Sequence, residues 1–129
     1  MANNSKSEHW HQSTFFDVIR KLDHPATEVT FAVPNGFLRT KSMRLRAWKE
    51  GMLSGVADVV VPYPARPRGR APGAHGLFIE FKVVPNTLSA AQNAFRRRVE
   101  ALGYVYAVAY SWQEALGAWC EHVGVEIER

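Results

Sequence analysis

The chain has 129 residues, 47% of them hydrophobic and 22% charged, with 9 Gly, 7 Pro and a single Cys. That length carries one domain with a sizeable core, and so ordinary a composition excludes disorder, collagen-like repeats and a disulfide-stapled miniprotein. The net charge of +4 is unevenly spread: from Arg39 to Arg98 there are 12 basic side chains against three acids, and the flanks carry 4 basic residues against nine acids.

A basic middle between acidic ends points to a polyanion surface, although a solvated basic face on a small protein would look the same. The lone Cys120 favours a reducing compartment, no apolar run approaches the roughly 20 residues of a membrane span, and residues 1–12 lack a signal peptide's apolar stretch. The expectation is one soluble cytoplasmic domain over 1–129, with 1–6 flexible and no membrane or organic cofactor.

The first helix is expected over 8–22. Ser5 and Glu8 have capping-box spacing, and Trp10, Phe15, Ile19 and Leu22 form an apolar stripe. Residues 28–33 read as a strand closed by the turn Pro34-Asn35-Gly36. Thr40 caps a second helix through Leu45 and Trp48 to Gly51, with Lys41, Arg44, Arg46 and Lys49 on its exposed side. Residues 57–61 form a short strand ended by Pro62. The stretch 62–76 holds four prolines, three arginines and three glycines and reads as a mobile surface loop. Residues 76–83 are the clearest strand. Ser89 with Gln92 opens a helix that Gly103 stops, 104–110 is a further strand, and Ser111 with Glu114 opens a last helix to about His122. The order α-β-α-β-β-α-β-α gives an α/β or α+β sandwich, a mixed sheet of about four strands flanked by helices.

The chemistry concentrates at Asp58 and Glu80-x-Lys82. Alternation along a strand projects Glu80 and Lys82 to one side and Leu77, Ile79, Phe81 and Val83 to the other. A lone E-x-K is usually just a half-exposed strand. Here the preceding strand carries one acid, Asp58, among Val56, Ala57, Val59 and Val60. If the two strands pair, both carboxylates converge on one cation. Two carboxylates make a hard oxygen site suited to Mg²⁺ or Mn²⁺. Such an ion polarises a phosphodiester, and a neighbouring lysine stabilises the developing negative charge.

Asp58, Glu80-x-Lys82 and a following helix with Gln92 resemble the core of the PD-(D/E)xK nucleases. The wider string is similar to the small, stand-alone VRR-type nuclease domain of phages and bacteria. The matching pieces are Glu8-x-x-x-Gln12, Val33-Pro34-Asn35-Gly36, Gly51-x-x-x-Gly55-Val56-Ala57-Asp58, Pro62-x-Pro64, Gly76-Leu77-Phe78-Ile79-Glu80-Phe81-Lys82, Leu88-Ser89-x-x-Gln92 and Gly103-Tyr104. They run from about Glu8 to Glu114. The resemblance implies a restriction-endonuclease-like core, with Asp58, Glu80 and the Phe81 carbonyl as metal ligands and Lys82 as the catalytic lysine. It also implies Glu8 near the metal and Gln92 shaping the site. Ala57 stands where the family often has proline, and the loop from Arg66 to His75 is variable in such proteins.

Capping accounts for Glu8 and Gln92 as readily as catalysis does. Gly51 and Gly55 suit helix termination and a tight approach to the strand. His9 and His11 face apart on a helix and make a poor zinc pair. Lys41, Arg44, Arg46, Lys49, Arg96 and Arg97 are the candidate phosphate contacts. The expected activity is a Mg²⁺-dependent DNA endonuclease, and the resemblance implies products with 5′-phosphate and 3′-hydroxyl ends. As the resemblance implies, it would be a homodimer cutting four-way (Holliday) junctions. The surplus of Trp10, Phe15 and Phe16 on the first helix is a candidate interface, and ordinary core packing explains it almost as well. The rivals are a DNA-binding module on a nuclease fold that has lost turnover, and a nuclease acting on RNA.

Overall fold

The computed structural model describes residues 6–34 and 40–126. In chain order the elements are α1 (Glu8–Ile19), α2 (Pro25–Val29), β1 (Phe31–Ala32), α3 (Lys41–Lys49), β2 (Val59–Val61), β3 (Leu77–Phe81), α4 (Ala90–Ala101), β4 (Val105–Ala109) and α5 (Trp112–Val123). The strands form one mixed sheet in the order β1-β2-β3-β4. β1 and β2 pair antiparallel, as do β2 and β3, whereas β3 and β4 run parallel across the crossover helix α4. This is the expected α+β sheet flanked by helices, with one helix added.

Strand alternation sorts the side chains into two cores. Leu77, Ile79 and Phe81 of β3, with Val59, Val61 and Ala109, pack under Phe15, Phe16 and Ile19 of α1 and Ala115, Trp119 and Val123 of α5. Ring contacts such as Phe15 on Phe81, with centroids 6.0 Å apart edge to face, fix that layer. On the other face Phe78, Tyr104, Tyr106 and Val108 meet Phe95 and Val99 of α4, joined by Ala57 and Leu88. Ala57 is fully buried there, so the missing proline is answered by a small side chain in a core position.

Four expectations are corrected. The segment expected as strand 28–33 is first a short helix, α2, because His24 caps it by accepting from the Ala26 N–H at 3.0 Å and Pro25 presets its first turn. Only Phe31 and Ala32 remain as strand. Helix α1 is capped by Ser7, whose hydroxyl accepts from the Trp10 N–H at 3.0 Å, and it ends at Ile19, three residues short of Leu22. Ser5, Asn35 and Gly36 lie outside the described residues. Phe15 and Phe16 are both buried, because α1 packs both on the sheet and against α5 beside it and so uses two flanks; of the proposed interface trio only Trp10 is exposed. Finally, residues 62–76 carry a small hairpin of their own: Arg68 and Ala71 exchange backbone bonds of 3.2 and 3.0 Å around Gly69, whose φ of +59° suits glycine.

The later caps form as expected. Ser89 and Gln92 make both halves of a capping box on α4. Ser111 accepts from the Glu114 N–H at 3.1 Å, while the Glu114 carboxylate accepts from the Tyr110 N–H at 2.9 Å, one residue before the cap. Gly103 ends α4 with φ +94°.

Candidate active site

Sheet register brings the two acids together. Val59 pairs with Ile79 across the antiparallel β2–β3 ladder, so the position before Val59 lies opposite the one after Ile79. Those positions are Asp58 and Glu80, and side chains opposite each other in a ladder share a face. Backbone reinforces the placement: the Phe81 N–H donates to Asp58 Oδ2 at 2.8 Å, and the Val33 N–H donates to the Asp58 carbonyl at 2.8 Å. Asp58 is therefore held from both neighbouring strands.

Glu80 lies on the α4 face and is only 3% exposed. Its Oε2 accepts from Gln92 Nε2 at 3.0 Å. Gln92 therefore does two things at once, since its own Oε1 accepts from the Ser89 N–H at 2.9 Å and completes the cap. The alternatives of capping and site-shaping merge in one side chain. Glu80 Oε1 is buried with no hydrogen-bond partner. An orphaned carboxylate oxygen in a dry site is costly unless a ligand meets it.

The electrostatics agree. Burial, and then the negative charge of Asp58, push the Glu80 carboxyl up to about 8. Burial also raises Asp58, opposed by the Phe81 N–H, by a hydrogen bond from the protonated Glu80 carboxyl and by the charge of Lys82. Lys82 follows Glu80 by two residues, and its N–H donates to the Ala109 carbonyl at 3.0 Å, extending the β3–β4 ladder past the acids. Glu8 adds a further repulsive charge felt by Glu80. It lines, with Asp58, Gln12, Phe16 and Arg20, a cleft of about 960 Å³ between α1 and β1. Among the described residues no group of three or more His, Cys, Asp or Glu side chains is close enough to form a metal cluster. The oxygen donors brought together are thus the Asp58–Glu80 pair, with Glu8 further out along the cleft.

This donor set fits a hard divalent cation. Asp58 keeps Oδ1 free of the Phe81 bond, Glu80 has an unpartnered oxygen, and the Phe81 carbonyl is adjacent in sequence. The mutual repulsion that raises Glu80 is what a cation would relieve.

Tyr106 was missed by the sequence reading. It sits opposite Phe78 on the parallel β4, which puts its side chain on the Glu80 face. Its hydroxyl is buried without a partner, and burial together with the charges of Glu80 and Asp58 holds the phenol well above its ordinary range. The only sequence signal was alternation, Tyr104-x-Tyr106-x-Val108, which shows a shared face but not what that face looks onto.

The candidate phosphate contacts divide. Lys41, Arg44, Arg46 and Lys49 are exposed on α3, with Arg46 bridging Glu50 at 3.4 Å. Arg96 is partly committed, to Glu100 at 3.4 Å and over the Tyr106 ring at 5.4 Å, whereas Arg97 is exposed. His11 and His9 do face apart: His11 Nδ1 accepts from the Trp112 N–H at 3.0 Å, tying α1 to α5, and His9 is exposed. Gly55, at φ +84°, packs so closely on α4 that a Cβ would lie 2.5 Å from the Ala91 carbonyl oxygen, so the approach to Asp58 requires glycine.

No family model matches the sequence, and no curated protein matches it. Among solved structures, a VRR_NUC domain protein superposes with a TM-score of 0.76 at 16% identity, over 97% of this chain and 93% of that one. The chain has a VRR_NUC fold. At that identity the likeness establishes the architecture alone. In the described part of this VRR_NUC fold no helix is long and apolar enough to cross a membrane.

Proposed function

We propose that the protein is an endonuclease that hydrolyses DNA phosphodiesters with a divalent cation, Mg²⁺ with Mn²⁺ as substitute. The observation that carries this reading is the pairing of half-buried Asp58 with buried Glu80, with one carboxylate oxygen left unpartnered, at the β2–β3 junction of a VRR_NUC fold. Asp58, Glu80 and the Phe81 carbonyl would hold the cation, which when bound supplies Lewis-acid polarisation of the phosphate and a more acidic water. The chain's own groups do the rest. Lys82 orients the attacking water and stabilises the negative charge that builds on the phosphoryl oxygens. Gln92 fixes one Glu80 oxygen so that the other faces the site. Glu8 approaches from α1 across the cleft that would take the substrate strand. Lys41, Arg44, Arg46, Lys49, Arg96 and Arg97 bind backbone phosphates and set the strand's register without reading bases.

In-line attack by water at phosphorus, with the P–O3′ bond breaking and the 3′ oxygen leaving, would give 5′-phosphate and 3′-hydroxyl ends. One cluster of acids cuts one strand, so symmetric cleavage of a four-way junction calls for two copies related by a two-fold axis. The reading is therefore a single-domain homodimer acting on branched DNA in the cytoplasm of a bacterial or phage-infected cell. Purified protein incubated with Mg²⁺ and matched linear, flapped, four-way and RNA substrates tests it. Metal-dependent cleavage with preference for the junction is expected. Cleavage of RNA alone, or binding without turnover, would overturn it.

A further inference from the structure

Helix α3 is the one long element that contributes almost nothing to either core. Of its nine residues Ala47 alone is buried, and the remaining eight are exposed. A helix this short is marginal on its own in water and normally persists by burying an apolar face. Instead α3 shows its apolar side chains to solvent: Leu45 is 54% and Trp48 70% exposed, and Met43, with Met52 and Leu53 just beyond the helix, is exposed as well. These side chains alternate with cations. Arg44 and Leu45 lie four and three residues before Trp48, and Lys41 four before Leu45, so all four share one face.

The mounting of this helix ties it to the acids. The chain leaves the sheet at Val33, whose N–H binds the Asp58 carbonyl, and returns to the sheet at Asp58 itself. On the way back Gly55 is pressed against Ala91 in the first turn of α4, the turn that also carries Gln92. Nine residues of helix span only about 14 Å. Both ends of the excursion that carries α3 are thus anchored at Asp58 and at the α4 turn that carries Gln92.

Charge complementarity decides what covers such a face. Lys41, Arg44, Arg46 and Lys49 give the helix four cations, with Glu50 at its end the only acid. Packing this face two-fold on a second copy would oppose Lys41 and Arg44 of one helix to the same two cations of the other across an apolar seam. A nucleic acid supplies both complements, phosphates for the cations and a base plane for an indole. Duplex DNA hides its base planes, and a strand junction exposes them.

From this we infer that α3 is the element that recognises branched DNA, with Trp48 stacking on a base exposed at the branch point while Lys41, Arg44 and Lys49 hold the adjoining phosphates. This rests on the DNA reading above and adds the residue that separates branched from linear substrate.

The test is a binding experiment that needs no turnover. Four-way junctions carrying 2-aminopurine next to the branch, and linear duplexes of the same sequence, are titrated with full-length protein in EDTA. Wild type should quench or shift the branch-point fluorophore. Trp48→Ala should lose about tenfold more affinity for the junction than for the duplex, with Trp48→Phe recovering part of the difference. Lys41→Gln and Lys49→Gln should weaken both DNAs alike and lower the salt slope by about one unit per lost contact. Because Trp48 is exposed, circular dichroism of Trp48→Ala should match wild type. Equal loss on both DNAs, or an unchanged junction preference, overturns the inference. So does a shift from dimer to monomer in light scattering with DNA binding intact, which would make α3 a self-association face. Trp48-dependent junction binding by a protein that cuts nothing would support the inference while refuting the nuclease reading.

Discussion

The two faces of the sheet treat buried polarity in opposite ways. On the face shared with α1 and α5, the buried polar side chains among the described residues, Thr30 and His122, are satisfied within the fold. Thr30 donates to the Ala26 carbonyl at 2.7 Å and accepts from Trp119 Nε1 at 3.1 Å, and His122 donates to the Tyr63 carbonyl at 2.6 Å. On the face shared with α4, Glu80 and Tyr106 each bury an atom with no partner. Polar groups that close on one another hold a structure together. Polar groups left open, beside a second carboxylate, leave a place for something from outside.

The contrast is broken most severely at the open pair. Asp58→Ala, Glu80→Ala and Lys82→Ala should each lower cleavage by on the order of 10³-fold or more at saturating Mg²⁺, with an unchanged circular dichroism spectrum. Wild-type-like cleavage by any of them removes that residue from the chemistry. On the closed face the consequence is reversed. Trp119→Ala should cost about 3–5 kcal/mol in urea unfolding, since it empties a fully buried site and removes the donor to Thr30. A variant still folded at low urea should keep its metal-dependent turnover.

The faces should also respond oppositely to pH. Glu80 has a folded pKa raised from 4.5 to about 8, so the metal-free native state holds a proton that the unfolded chain has released. Its contribution is complete below pH 4.5 and is lost as pH rises towards 8. Thermal unfolding in EDTA should show that decline, Glu80→Gln should flatten it, and Mg²⁺ at pH 8 should raise the midpoint of wild type by about 3–6 °C but not that of the variant. His122 is shifted down from 6.5 by burial, so its contribution is complete above pH 6.5 and is lost as pH falls through its folded value. His122→Gln should remove an acid-side loss that Glu80→Gln leaves in place. The smallest effect belongs to Tyr106→Phe. Removing an unpartnered hydroxyl should leave metal-free stability equal or higher by about 1 kcal/mol, while Mn²⁺ affinity, read by calorimetry, falls a few-fold. A loss of stability would show that the hydroxyl is satisfied in solution.

Much of this was legible in the sequence, and the parts that were not have physical reasons. Asp58 and Glu80 stood out as acids within apolar runs, and Ser89, Gln92 and Gly103 announced α4, because these are local signals. The run Glu28-Val29-Thr30-Phe31 has strand propensity, and a five-residue helix took part of it through the His24 cap and Pro25. The two buried aromatics of α1 looked surplus because periodicity counts one core-facing stripe, and α1 has both a sheet and a helix to pack against. Tyr106 and the second bond of Gln92 were invisible for another reason. Both depend on the register between β3 and its neighbours, and register belongs to pairs of strands, not to either alone.

The small hairpin between β2 and β3 has a consequence for how this chain tolerates change. The acids are aligned by three residue pairs, Val59 with Ile79, Val60 with Phe78 and Val61 with Leu77, and by the Phe81–Asp58 bond, and they sit at the end of that ladder away from the connection. Lengthening the connection at Gly69-Arg70 would add only closure entropy, about 0.6 kcal/mol for each doubling. Peptide tags, probes or whole recognition modules can be spliced there with the carboxylates left in alignment, because that segment acts as a handle and the ladder beneath it as the jig.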